Sequence, residues 1–333
     1  MFKYLFIAVL TFSALTALAE TCSYSDCHSD IISGKNVHSP AGEGSCLDCH
    51  MADDSLIAAH EEDPETHKSF EAPVSDGEVL CFMCHEDNKT VKKYVHGPVA
   101  AGDCTACHDP HSSDNKYQLK ENTQQLCLRC HTEKNESMTI AHKHQPVLED
   151  CTTCHNPHNS DHEMFLEKDI SELCFDCHSD IGERVTKMEY VHAPVEADGC
   201  PACHNVHGSE NPYILYDYFP ESFYNDYKQG LYKLCFECHD DSKLSKEGDT
   251  GFRNGDQNLH WVHVTMEKKG RSCKACHEVH ASSQPLHIRA KVPFGSSGWE
   301  LPIKFTQSEN GGSCVVGCHK KKAYDRETPA ENK

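Results

Sequence analysis

Hydrophobic residues are spread thinly along this chain, and only two stretches carry a pattern that specifies an element by itself. The first is an apolar run from Leu5 to Leu18, with Lys3 ahead of it and Ala17-Leu18-Ala19 closing it. That order predicts a secretory signal peptide over residues 1–19, cleaved so that the mature chain begins at Glu20. The run is short for a membrane span, and no other stretch is apolar enough to cross a bilayer. The second lies at 287–305, where Ile288, Ala290, Val292 and Phe294 alternate with other positions, Gly-Ser-Ser-Gly follows, and Trp299, Leu301, Ile303 and Phe305 resume the alternation. Period two on both sides of a glycine-rich turn predicts a β-hairpin. Pro293 and Pro302 fall on its other face, which argues for interrupted edges and against a central sheet.

Elsewhere the pattern is fragmentary. Single leucines precede a cysteine at Leu80, Leu126, Leu173 and Leu234, and short helices are predicted there, joined by turns rich in Gly, Pro, Asn and Asp. Only 38% of the 333 residues are hydrophobic, low for an ordinary core of this length. The predicted fold is therefore mostly irregular with short α-helices, and its core must draw on something besides side chains.

The cysteines supply that something. All 22 fall into pairs that close immediately before a histidine. Nine read Cys-x-x-Cys-His: Cys46/Cys49, Cys81/Cys84, Cys104/Cys107, Cys127/Cys130, Cys151/Cys154, Cys174/Cys177, Cys200/Cys203, Cys235/Cys238 and Cys273/Cys276. Two are stretched, Cys22/Cys27 by four intervening residues and Cys314/Cys318 by three. A Cys-x-x-Cys alone is compatible with half a zinc site, a redox dithiol or a disulfide framework. The following histidine is what those readings do not require. In Cys-x-x-Cys-His the thiols form thioethers to haem vinyl groups and the histidine stands under the iron. Eleven covalent haems c are predicted, and their porphyrin faces would supply the missing apolar area in an elongated, haem-dominated core. For the two stretched pairs a plain disulfide at each chain end is the alternative.

The motifs repeat. After a lone first motif (20–37), five paired units follow at 38–90, 91–136, 137–185, 186–245 and 256–322. The clearest runs His96-Gly-Pro, Cys104–His108, His111, then Leu126-Cys127 to His131. Two more begin His144-Gln-Pro and His192-Ala-Pro; a looser one holds His263, Cys273–His277, His280 and Cys314–His319. The most divergent, His38-Ser-Pro with Cys46–His50 and Cys81–His85, lacks the His-x-x-His spacing and has His60 and His67 instead.

Twenty-six histidines bear on whether any iron stays open. Eleven are proximal: His28, His50, His85, His108, His131, His155, His178, His204, His239, His277 and His319. Of the remaining fifteen, the distal candidates are His38, His60, His67, His96, His111, His144, His158, His192, His207, His263 and His280, with His142, His162, His260 and His287 as spares. The choices of His144 over His142 and of His263 over His260 are narrow. A histidine three residues beyond a proximal one cannot easily reach its own haem, so it is expected to serve a neighbour. Bis-histidine ligation implies low potentials and no open iron for substrate.

The formal charge of −21 argues against nucleic acid and anionic membranes as partners. Covalent haem attachment and the leader agree on a periplasmic, secreted or cell-surface protein. The aromatics of 211–234, from Tyr213 to Tyr232, are expected to shield a haem from water, with partner docking as the alternative. The lone first motif and Lys320-Lys321-Lys322 mark plausible ends of an electron path. No motif ends in Lys, which weighs against a reductase with an open haem, and the histidine supply weighs against a filament that borrows ligands from its neighbour.

The pattern resembles the doubled-CxxCH multihaem cytochromes c over essentially the whole mature chain. It is most similar to the decahaem cytochromes held in outer-membrane porins of metal-reducing bacteria, and also to the pentahaem donors of nitrite reductase. The tract His192-Ala-Pro-Val through Cys200–His207-Gly-Ser carries the resemblance most specifically. It implies electron transfer rather than catalysis, with redox proteins, a porin and an extracellular cytochrome as partners. The eleventh motif and the long insertions depart from it.

Overall fold

The computed structural model describes residues 28–50, 77–89, 91–294 and 298–332. Few elements are regular. The helices are four to nine residues long, and strands outside the C-terminal region are two-residue bridges. The mostly irregular backbone expected from the sequence is what the chain forms.

Two units divide the chain, and the cut does not follow the sequence repeats. One comprises Met1–Thr132 with Asp150–Glu167; the other comprises Glu133–Glu149 with Lys168–Lys333. The third repeat is thus split, its first motif going to the first unit and its upstream histidine and second motif to the second. The reason is a rule of pairing that both units obey. Each His-x-Pro segment pairs with the strand just after the next repeat's His-x-x-His. In the first unit Asn36–Val37 runs antiparallel to Ser112–Ser113, and Tyr94–Val95 to Asn159–Ser160. In the second, His142–Lys143 pairs with Gly208–Ser209, and Tyr190–Val191 with Ala281–Ser282. Residues 133–149 follow their strand partner into the second unit, and 150–167 follow theirs into the first.

Local chemistry explains the helices. Proline in the first turn starts the helices Ser39–Gly42, Gly97–Ala100 and Ala193–Ala197, where its missing N–H costs nothing. The helices Gly77–Phe82, Thr123–Leu128, Ile170–Phe175 and Lys233–Phe236 carry the first cysteine of each second motif. Asn122 caps the second of these by accepting from Gln125 N at 3.0 Å, and Asp169 caps the third by accepting from Ser171 N at 3.1 Å. The first motifs instead sit on tight 3₁₀ turns, as at Cys46–Asp48, Cys104–Ala106, Cys151–Thr153, Cys200–Ala202 and Cys273–Ala275.

The C-terminal region corrects two expectations. A hairpin does form between Lys291–Phe294 and Trp299–Ser308, but it continues through Gly311–Val316 and His319–Asp325 into a four-stranded antiparallel sheet. The last cysteine pair therefore stands on a hairpin, not on a helix, and the strand holding Pro302 is an inner one. Proline is tolerated because that strand changes partner there: residues 299–302 pair with 291–294, and 303–308 pair with 311–316. Val292, Leu301 and Ile303 bury one face of the sheet, with Phe223, Ile288 and Val316 packed against them. Gly311 lets two strands close: a Cβ there would collide with the carbonyl oxygen of Tyr324. Gly311→Ala is expected to cost about 2 kcal/mol, seen as a lower melting temperature of the haem-loaded protein.

The aromatic insertion forms the other core cluster. Phe219 and the fully buried Tyr232 join Leu215, Leu244 and Val264, and Cys203, Cys235 and Cys273 pack against that group. Tyr213, Tyr216 and Tyr218 remain exposed.

Candidate haem-binding site

The pairing rule brings histidines together two by two. In the first unit the ring centres of His38/His85, His50/His111, His96/His131 and His108/His158 lie 5.9–6.1 Å apart. In the second, His144/His178, His192/His239, His204/His280 and His260/His277 lie 6.1–6.3 Å apart. The two ring planes of each pair are within 6–23° of parallel. Each pair joins one proximal histidine with one other. His38, His96, His144 and His192 reach the second motif of their own repeat, whereas His111, His158 and His280 face the first motif of the repeat before.

The separation is that of two imidazoles on one metal. A first-row metal–imidazole bond is about 2.0–2.1 Å. With each ring centre about 1.1 Å behind its nitrogen, two rings on one iron stand roughly 6 Å apart. Plain ring stacking would scatter over a wider range. The Nδ1 atoms point elsewhere. His38, His96 and His144 direct Nδ1 at the carbonyl oxygens of Pro110, Pro157 and Val206 at 2.9–3.0 Å, each the residue just before a His-x-x-His histidine. His108, His155, His204 and His277 direct theirs at the carbonyls of Tyr117, Met164, Tyr213 and Leu286 at 2.8–3.0 Å. With Nδ1–H donating to backbone, Nε2 is the nitrogen left to face the partner ring.

Those last four carbonyls are presented by strained backbone. Tyr117/Gln118, Met164/Phe165, Tyr213/Ile214 and Leu286/His287 are consecutive non-glycine residues with φ of 52–59°. The first of each pair leaves its side chain largely in solvent, Met164 at 75% exposure. Met164→Gly is therefore expected to stabilise the haem-loaded protein by about 1 kcal/mol, and Met164→Ile to destabilise it by about as much, read from thermal unfolding.

Electrostatics suit neutral ligands. Burial holds the imidazoles of His50, His144, His158, His192, His263, His277 and His280 below their usual range. His260 is pushed down to about 4 by burial, with His277 and His263 beside it. A metal needs the deprotonated imidazole, so these rings are ready to bind. Burial pushes the Cys276 thiol up to about 11, whereas hydrogen bonds from the neighbouring Cys127 and Cys174 bring Cys151 and Cys200 down to about 7.

The first sulfurs of the motifs are arranged in sequence order. Cys81 contacts Cys104 and Cys127 contacts Cys151 in the first unit; Cys174 contacts Cys200 and Cys235 contacts Cys273 in the second. Each contact joins the first cysteine of one repeat's second motif to that of the next repeat's first motif.

The second sulfurs differ with the kind of motif. Cys49, Cys107, Cys154, Cys203 and Cys276, in the first motifs, are half-buried, whereas Cys84, Cys130, Cys177 and Cys238, in the second motifs, are exposed. The sequence assigns Cys84, Cys130, Cys154, Cys177 and Cys238 to haem thioethers; none of them is in a disulfide, and each immediately precedes its histidine. The N–H groups of His85, His131, His155, His178 and His239 donate to the carbonyls of Cys81, Cys127, Cys151, Cys174 and Cys235 at 2.9–3.1 Å. Both sulfurs and the imidazole of a motif thus leave one tight turn, which suits a thioether pair with a histidine under the same porphyrin.

None of the twenty described cysteines forms a disulfide, Cys314 and Cys318 included. Among the described residues no cluster of three or more His, Cys, Asp or Glu could hold a bare metal ion. Unbridged sulfurs and facing imidazoles together fit haem c.

The narrow choice of His263 over His260 left His260 as a spare; the structure sets it against His277. No local signal ranks the two, because Asn258 begins a helix Leu259–Val264 that carries both histidines three residues apart. Of the other spares, His287 packs edge-on against His192 with ring centres 5.3 Å apart, His142 lies in a bridge strand, and His162 precedes the turn Glu163–Phe165. His155 belongs to the first unit and His207 to the second. Cys22, Cys27, His60 and His67 lie outside the described residues.

The model of the family described as Doubled CXXCH motif matches residues 38–90, 96–136, 144–183 and 192–244, more than half of the chain. No curated protein matches it. Among the described residues no helix is long and apolar enough to cross a membrane. The chain belongs to the doubled-CXXCH family, as a multihaem c-type cytochrome with covalently attached haem that takes part in electron transfer.

Proposed function

We propose that this protein carries electrons along eleven haems c, each held between two histidines, and that it has no catalytic iron. The observation that supports this most directly is the eightfold recurrence of a proximal histidine facing a second imidazole at 5.9–6.3 Å. When bound, haem c supplies an iron that cycles between ferric and ferrous states at a potential set by its ligands and surroundings. The cysteines tether, the paired histidines fill both axial positions, and the backbone carbonyls fix ring orientation.

In this reading His38, His96, His144 and His192 complete the second-motif haems of their own repeats. His111, His158 and His280 complete first-motif haems one repeat earlier; His260 serves the haem of His277, and His263 that of His319. His155 and His207 keep their proximal and distal roles. Only the haem of His28 is left to draw on His60 or His67, so one of those two suffices where the sequence count used both. The leader, the acidic charge and the likeness to porin-held decahaem cytochromes support a periplasmic or exported location, with redox proteins on either side and a link to an outer-membrane or extracellular acceptor.

Electron paramagnetic resonance of the ferric protein tests the ligation. The expected spectrum is wholly low-spin, and dithionite followed by ferricyanide cycles every haem reversibly. A high-spin component equal to one haem in eleven would point to an open iron and a reductase.

A further inference from the structure

The C-terminal sheet carries a feature that haem binding does not explain. Lys304 stands opposite Val315 in one ladder. In the next ladder the register shifts: Cys314 faces Lys322 and Val316 faces His319, so Val315 is left against both Lys320 and Lys321. Such a bulge sets two residues against one. One cross-strand row therefore presents Lys304, the 45%-exposed Val315 and the Lys320–Lys321 pair, with all three lysines exposed. Lys291 in the same sheet is neutralised by Glu300 at 3.0 Å, and Lys322 donates to the carbonyl of Asn332 at 3.1 Å. Among the described residues Lys304, Lys320 and Lys321 have no carboxylate within ion-pair distance, and the adjoining row, Thr306, Ser313 and Ala323, is uncharged.

The chain as a whole carries 52 acidic against 31 basic residues. Three unpaired lysines around an exposed valine are a local reversal of that field. At physiological ionic strength the screening length is about 8 Å, so an arriving partner feels chiefly the charges close to this row. The row also lies beside a haem motif: Lys320 follows His319, whose Nδ1 meets the Lys320 carbonyl at 2.6 Å.

We infer that this row is the docking surface for an acidic one-electron protein, which exchanges electrons with the haem of Cys314/Cys318. The proposal rests on the electron-transfer reading above. Lysines set the approach and orientation, and the exposed Val315 supplies an apolar contact at the centre.

The test uses the haem-loaded protein with reduced flavodoxin, an acidic flavin protein, as the probe. Stopped-flow haem reduction is compared for wild type, K304Q/K320Q/K321Q and a control K228Q/K243Q/K246Q, and carbodiimide cross-links are mapped by mass spectrometry. The expected result is a second-order rate about tenfold lower for the first variant at low salt, with a flattened salt dependence, and an unchanged control. Wild-type cross-links should fall on Lys304, Lys320 or Lys321. Equal rates in all three proteins, or cross-links concentrated on other lysines, would overturn the docking surface. Dithionite separates the two levels: haems that it fails to reduce sink the electron-transfer reading itself, whereas haems that it reduces equally in all three proteins confine any failure to the docking surface.

Discussion

Replacing His260 with alanine is expected to convert one low-spin haem to a five-coordinate, high-spin one without changing the number of haems. Its ring centre lies 6.3 Å from that of His277, and its Nδ1 is held by the Thr250 hydroxyl at 2.8 Å. The Asn258 side chain accepts from the His260 and Trp261 N–H groups at 2.9 and 3.2 Å and so fixes the start of the helix beneath it. Cys273 and Cys276 would keep the porphyrin tethered, so the loss falls on ligation alone. His263→Ala should act on a different haem, because it is His260 and not His263 that faces His277, and His263 holds its Nδ1 on the Leu259 carbonyl at 2.7 Å. The double variant should then show two high-spin haems. Quantitative ferric spectra check this; a silent His260→Ala beside a strong effect of His263→Ala would restore His260 to a spare.

A chain denied its haems is expected not to fold. Among the described residues only twelve apolar side chains are buried, and three of these belong to the C-terminal sheet's own cluster. The helices reach at most nine residues, below the length at which isolated helices hold together in water. Two-residue bridges add little alone. Backbone ordering costs on the order of 1 kcal/mol per residue, which so small an apolar core cannot offset. Residues 20–333 produced without haem attachment should give a far-ultraviolet dichroism spectrum of a largely unordered chain with no cooperative transition. A colourless protein that unfolds cooperatively would show that side chains suffice.

Much of this organisation is written locally in the sequence, and what is missing from it is long-range. The Cys-x-x-Cys-His motifs, the His-x-Pro segments and the leucines that start the second-motif helices are each legible within a few residues. The interlocking is not. That His38 N donates to His111 O at 2.8 Å, and that Asn36 lies opposite Ser113, depends on contacts more than 70 residues apart. Nor do two adjacent residues such as Tyr213 and Ile214, with φ of 57° and 53°, announce a left-handed turn, since neither is glycine or asparagine. His260 was missed for a related reason. The fifth repeat lacks the His-x-Pro spacing that identified His144, so its helix offered two histidines and no local rule to rank them. Pro302 misled in the opposite sense: a proline argues against an inner strand only where the neighbour on that side needs its N–H, and here the strand changes partner at that residue.

Electron transfer in this chain depends on the number and attachment of its haems. Pyridine haemochrome titration of the purified protein, paired with its intact mass, measures both together. The predicted result is eleven covalent haems on a chain that begins at Glu20, with no free thiol remaining. A colourless product, zinc in place of iron, or cystine bridges in the mature chain would contradict it.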